Sequence, residues 1–123
     1  MGALARDISR GGTSAMSAQA INGAVATGLT AAGTVITDAL DLNATVNVIS
    51  TCASGAGVQL YSMQIGDEME VYNGGANQCL VYPDSSTVAI NQLSVGSAIT
   101  LPINTGCKFR KVSATAIIAF LSA

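Results

Sequence analysis

The sequence predicts an all-β fold, an antiparallel β-sandwich or jelly-roll-like domain with an extended N-terminal arm, and three observations lead there. Valine, isoleucine and threonine number 31 of the 123 residues, whereas tryptophan is absent and phenylalanine and tyrosine total five. Branched side chains must therefore fill the interior, and these suit a pleated strand better than a helix. From Asn22 onward, glycine and asparagine punctuate the chain every 8 to 14 residues, the spacing of short strands joined by turns. Charged residues are only 10% of the chain, against about 25% in an ordinary soluble domain. No repeat of roughly 20–50 residues is visible, so a solenoid is not expected.

Residues 1–22 read as the arm and 23–123 as the β-sandwich domain. The arm holds Gly11-Gly12 and a run of small residues, with Leu4, Ile8, Met16 and Ile21 as spaced apolar anchors beside Arg6, Asp7 and Arg10. That composition supports no core of its own and suits a segment that orders on a partner. The first strands are expected at Ala24–Leu29 and Thr34–Leu42, the latter with Ile36, Leu40 and Leu42 on one face and Asp38 breaking the pattern. Thr45–Cys52 alternates, the turn Ser54–Gly57 closes it, and Val58–Tyr61 is short. In Glu68–Tyr72, Met69 and Val71 take one face and Glu68, Glu70 and Tyr72 the other, the pattern of a half-buried strand. Asn73–Asn77 supplies glycines for a hairpin turn, and Gln78–Tyr82 is the expected return strand, stopped by Pro83. Val88–Leu93, Ala98–Leu101, Cys107–Val112 and Ala116–Phe120 complete the set. Met69, Val71, Leu80, Ile99, Phe109 and Ile118 are the expected interior.

Composition and motifs exclude several functions. A formal net charge of −2 supplies no basic field for releasing counterions from nucleic acid. No stretch reaches the length of a membrane span, and Met1–Gly12 lacks the apolar run of a signal peptide, so a soluble protein made in the cytosol is expected. Histidine is absent, which removes Ser-His-Asp and Cys-His catalysis, and the glycines form no phosphate-binding motif. Catalytic residues, cofactors and metals are accordingly all expected to be none. Cys52, Cys79 and Cys107 are widely spaced beside β-type residues, as buried free thiols are.

Two charged clusters remain. Asp67, Glu68 and Glu70 lack the spacing of a calcium loop and suit a solvated strand face. Lys108, Arg110 and Lys111 form the basic cluster; on a strand, Lys108 and Arg110 share one face while Cys107, Phe109 and Lys111 share the other. The two clusters are expected to meet across neighbouring protomers, setting register more than affinity. Tyr61, Tyr72 and Tyr82 are the only aromatic hydroxyls available to stack on a sugar.

Gly66-Asp67-Glu68, Val71-Tyr72-Asn73, Gly75-Ala76-Asn77, Leu80-Val81-Tyr82-Pro83, Ile90-Asn91 and Phe109-Arg110-Lys111-Val112-Ser113 together resemble a β-rich module of tailed-bacteriophage virion proteins, of the capsid decoration (cement) or head-fibre type. The resemblance spans about residues 28–116. It implies a non-enzymatic protein bound to the outer surface of the head shell, with the major capsid protein and further copies of itself, as a homotrimer, for partners. Neither nucleic acid nor membrane is expected among them. A carbohydrate- or receptor-binding module of a head fibre or tail is the alternative. The arm and the two charged clusters are the expected contact residues.

Overall fold

The computed structural model describes residues 24–60 and 62–122, and every regular element within them is a strand. Along the chain as far as its ninth strand, strands are laid alternately in two sheets. A six-stranded sheet, ordered β1-β3-β5-β9-β10-β7, contains β1 (Val25–Thr30), β3 (Val46–Thr51), β5 (Glu68–Asn73), β7 (Ala89–Ile90), β9 (Thr105–Ser113) and β10 (Ala116–Leu121). A four-stranded sheet, ordered β2-β4-β6-β8, contains β2 (Leu40–Asp41), β4 (Gly57–Gln59), β6 (Cys79–Tyr82) and β8 (Ile99–Leu101).

The first six strands wind as a β-solenoid. β1, β3 and β5 stack in parallel on one side, and β2, β4 and β6 on the other. The all-β class agrees with the sequence, but these parallel coils stand where an antiparallel sandwich or jelly roll is expected, and a solenoid is present where none was. The coil hides its period by varying it. Val25 lies beside Val46 and Val46 beside Glu70, steps of 21 and 24 residues; Leu40 lies beside Val58 and Val58 beside Val81, steps of 18 and 23. Corners of unequal length leave no fixed repeat to detect.

Nor do residues 68–72 and 78–82 form a hairpin. β5 pairs with β3 and β9, whereas β6 pairs with β4 and β8 in the opposite sheet. Asn73, fully buried, turns the chain from one sheet to the other. Its Nδ2 donates to Asn77 O at 2.9 Å and Leu101 O at 3.0 Å, and its Oδ1 accepts from Gly75 N at 2.9 Å. The side chain thus takes over hydrogen bonds that a tight hairpin would make between its own strands. Asn77 continues the corner by donating to Cys52 O, one coil back.

Residues 34–38 likewise form a turn instead of the start of a strand. The amides of Val35 and Thr34 donate to Asp38 Oδ1 at 2.9 Å each, which holds this exposed carboxyl below its usual range. Gly33, at φ 73°, leaves the space Asp38 occupies. The residue that breaks the apolar alternation is therefore the one that closes the turn.

After three coils the chain reverses. β9 runs antiparallel to β5, and β10 antiparallel to β9. Phe109, completely buried, anchors the interior with Leu42, Ile49, Val58, Val71 and Val81, and full burial of such a side chain contributes about 1.5–3 kcal/mol. Met69, Val71 and Phe109 lie inside as expected. Leu80, Ile99 and Ile118 are only half-buried, and Val81 and Ile117 take the inner positions. In β10 the cause is a bulge: Ala116 faces Ser113 but Ile117 already faces Lys111. A slip of one residue exchanges the two faces of a strand.

Candidate functional site

The outer face of the six-stranded sheet gathers most of the charged and aromatic residues singled out from the sequence. Alternation along β5 turns Glu68, Glu70 and Tyr72 outward, and alternation along β9 turns Lys108, Arg110 and Val112 outward. Register then decides what meets what: Glu68 lies opposite Arg110, Glu70 opposite Lys108 and Tyr72 opposite Gly106. Lys108 Nζ is 3.7 Å from Glu70 Oε1 and 3.9 Å from Glu68 Oε2, and Arg110 Nη2 contacts Glu68 Oε1. The acidic and basic strands expected to pair between protomers are thus paired within one chain. Such exposed pairs contribute about 0–1 kcal/mol each, but they leave this face nearly neutral.

Two clustered residues do not join this network. Lys111 points inward, as its place beside Cys107 and Phe109 implies, and its Nζ meets Asp84 Oδ2 at 2.8 Å. The Lys111 and Asp84 side chains are 10% and 4% exposed. Asp84 Oδ2 also accepts from Met63 N at 2.9 Å. Asp67 closes a local turn, its Oδ2 accepting from Gln64 N at 2.8 Å, beside a polar depression of about 200 Å³ that reaches Asn43 and Ser62.

With the charges matched, apolar groups define the rest of the face. Phe120 of β10 sits opposite Lys108 and is 59% exposed; Tyr72 is 41% exposed. Gly106 lies between the strands bearing them, and without a side chain there the surface sinks into an open groove of about 290 Å³, lined by Val46, Glu70, Tyr72, Gly106, Lys108 and Phe120. Ser122 closes one end, its Oγ accepting from Gly106 N at 3.0 Å. Phe120, Gly106 and Val46 were not singled out from the sequence. A signal for Phe120 exists, since it alternates with Ile118 on the strand after the basic cluster, but nothing local tells that it faces Lys108.

Of the three tyrosines, Tyr72 is the one the described structure leaves open. Tyr82 is buried and its hydroxyl donates to Thr34 O at 3.2 Å; Tyr61 lies outside the described residues. So do Leu4, Arg6, Ile8, Arg10, Met16 and Ile21 of the arm. All three cysteines are buried and free. Burial, then the adjacent Cys52 thiol, pushes Cys79 up to about 12, and burial pushes Cys107 up to about 11.

Compared with known proteins, the chain matches no family model, no curated protein and no solved structure.

Proposed function

We propose that this chain is a non-enzymatic bacteriophage capsid decoration (cement) protein that binds and stabilises the outer surface of the head shell. The observation that carries the reading is the outer sheet face: its carboxylates and cations are matched within the chain, while Tyr72, Val112 and Phe120 stay 41–59% exposed. A contiguous neutral face with exposed aromatics favours a complementary protein surface over a polyanion or an ion. The resemblance of about residues 28–116 to phage virion modules supplies the kind of partner, the major capsid protein. A homotrimer made in the host cytoplasm and carried on the capsid surface completes the reading, and the arm 1–22 provides a second line of attachment.

Undecorated capsids mixed with purified protein test this directly. Wild type should co-sediment with the shells, Y72S/F120S should fold normally and lose at least tenfold in affinity, and deletion of residues 2–20 should lower occupancy sharply. Absence of wild-type binding overturns the reading. Sedimentation at high micromolar concentration tests the trimer, and a strict monomer overturns that part.

One observation favours a second reading. Tyr72 and Phe120 stand on the strands either side of β9, Tyr72 opposite Gly106 and Phe120 opposite Lys108, with Lys108, Glu70 and Ser122 at hand for hydrogen bonds. A flat sugar ring between aromatic faces fits a carbohydrate-binding module of a head fibre or tail. Glycan-array binding lost in Y72S, without affinity for shells, would select it.

A further inference from the structure

Two of the three thiols share one region of the coil. Cys52 follows β3 as the chain leaves the six-stranded sheet, and Cys79 opens β6 where the next coil enters the opposite sheet. The corners bearing them are stacked and bonded. Asn77 Nδ2 donates to Cys52 O at 2.9 Å, and Cys52 Sγ donates at 3.5 Å to Gln78 O, the carbonyl just before Cys79. Packing is close enough that a Cβ on Gly75 would fall 3.0 Å from Cys52 Cβ. The Cys52 and Cys79 side chains lie near enough that the Cys52 thiol adds to burial in pushing Cys79 up. They are 3% and 0% exposed, so the pair is held together by the surrounding core. Cys107 lies apart on β9, its Sγ donating to Lys108 O.

Two buried thiols on stacked, hydrogen-bonded corners have to lose only two electrons to become a covalent tie between coils. We infer that Cys52 and Cys79 form a latent oxidation site, at which a small peroxide joins the second coil of the solenoid to the third. This goes beyond the virion reading and stands without it.

Cys52 is the first to react, being the more exposed and bordering the solvent-exposed Ala53–Gly55. Its sulfur attacks one peroxide oxygen, the O–O bond breaks, and the departing hydroxide leaves as water with the Cys52 proton, giving a sulfenic acid. The Cys79 sulfur then attacks the Cys52 sulfur and the S–O bond breaks. The hydroxyl departs as a second water with the Cys79 proton. Two thiols are oxidised by two electrons and one hydrogen peroxide is reduced to two waters. Burial of both sulfurs excludes bulky disulfides, so the tie waits for an oxidant small enough to reach it.

The test treats reduced protein with a modest excess of hydrogen peroxide, then denatures it in the presence of an alkylating agent. One alkylatable thiol should remain, the mass should fall by two hydrogens, and peptide mapping should join Cys52 to Cys79. C107S should cross-link like wild type, and C79S should stop at a dimedone-trappable sulfenic acid on Cys52. If C79S does not fold, the mapping of wild type and C107S decides alone. Three alkylatable thiols after treatment, a sulfinic acid without a cross-link, or a bond through Cys107 or between chains overturns the inference.

Discussion

Lys111 Nζ and Asp84 Oδ2 meet at 2.8 Å in the protein interior, joining β9 to the segment after β6. Losing one partner strands a buried charge, at a cost of about 3–5 kcal/mol. K111A and D84A should each lower unfolding stability by that amount in urea titrations, and K111M/D84L by much less. E70Q, which removes an exposed partner of Lys108, should change stability by less than about 1 kcal/mol. Equal losses for K111A and E70Q would contradict the burial argument.

Asn73 offers a second test, because its amide serves both sheets. In N73A the carbonyls of Asn77 and Leu101 and the amide of Gly75 lose their side-chain partner. Each buried group left unsatisfied costs about 1–3 kcal/mol, so the loss should exceed that of N77A, which removes one bond to Cys52 O. Hydrogen exchange at Gly75 should accelerate with the first change and little with the second.

Alkaline pH should weaken the fold through its thiols. In the folded chain Cys79 stands at about 12 and Cys107 at about 11, against an ordinary 9.0. Above pH 9 the unfolded chain loses these protons while the folded chain keeps them, so it is the unfolded state that gains from each further rise. The thiol contribution is complete below pH 9 and declines as pH climbs toward 11 and 12. Chemical denaturation at pH 8, 9.5 and 10.5 should show this decline, and C107S should reduce its slope.

The exposed aromatics should be dispensable for folding. Phe120 and Tyr72 face outward, so F120S and Y72S should shift stability by about 0.5 kcal/mol or less each, whereas F109A should cost about 3–5 kcal/mol. Thermal unfolding of the three variants distinguishes a surface available for contact from a hidden part of the core.

Local pattern made much of this legible. Which face each residue takes along residues 68–72 and 107–112 followed from alternation alone, and the burial of all three cysteines from their β-type neighbours. What alternation does not carry is which strand lies beside which. Asn73-Gly74-Gly75 has the composition of a hairpin turn, yet the amide of Asn73 bonds Leu101, 28 residues on, and that long-range bond sends β6 to the other sheet. Pairing of Glu68 and Glu70 with Arg110 and Lys108 depended on the same missing information: both clusters were visible, but only register shows that they sit side by side in one chain. Asp84 was passed over as the residue after a strand-stopping proline, because the cation that meets it lies 27 residues further on.

Among the described residues, β1 and β7 end the six-stranded sheet, each with a neighbour on one side only. These ends are unlike: β1 belongs to the parallel coils, and β7 is reached only after β9 has reversed direction. A twofold axis beside β1 would set that strand against its own copy, but a threefold axis never brings an edge onto itself. A trimer of this chain must therefore join dissimilar surfaces, one from each neighbour, repeated around a ring. One disabling substitution on either surface would then break all the contacts of the ring together, and two copies mutated on opposite surfaces would still form one good contact when mixed.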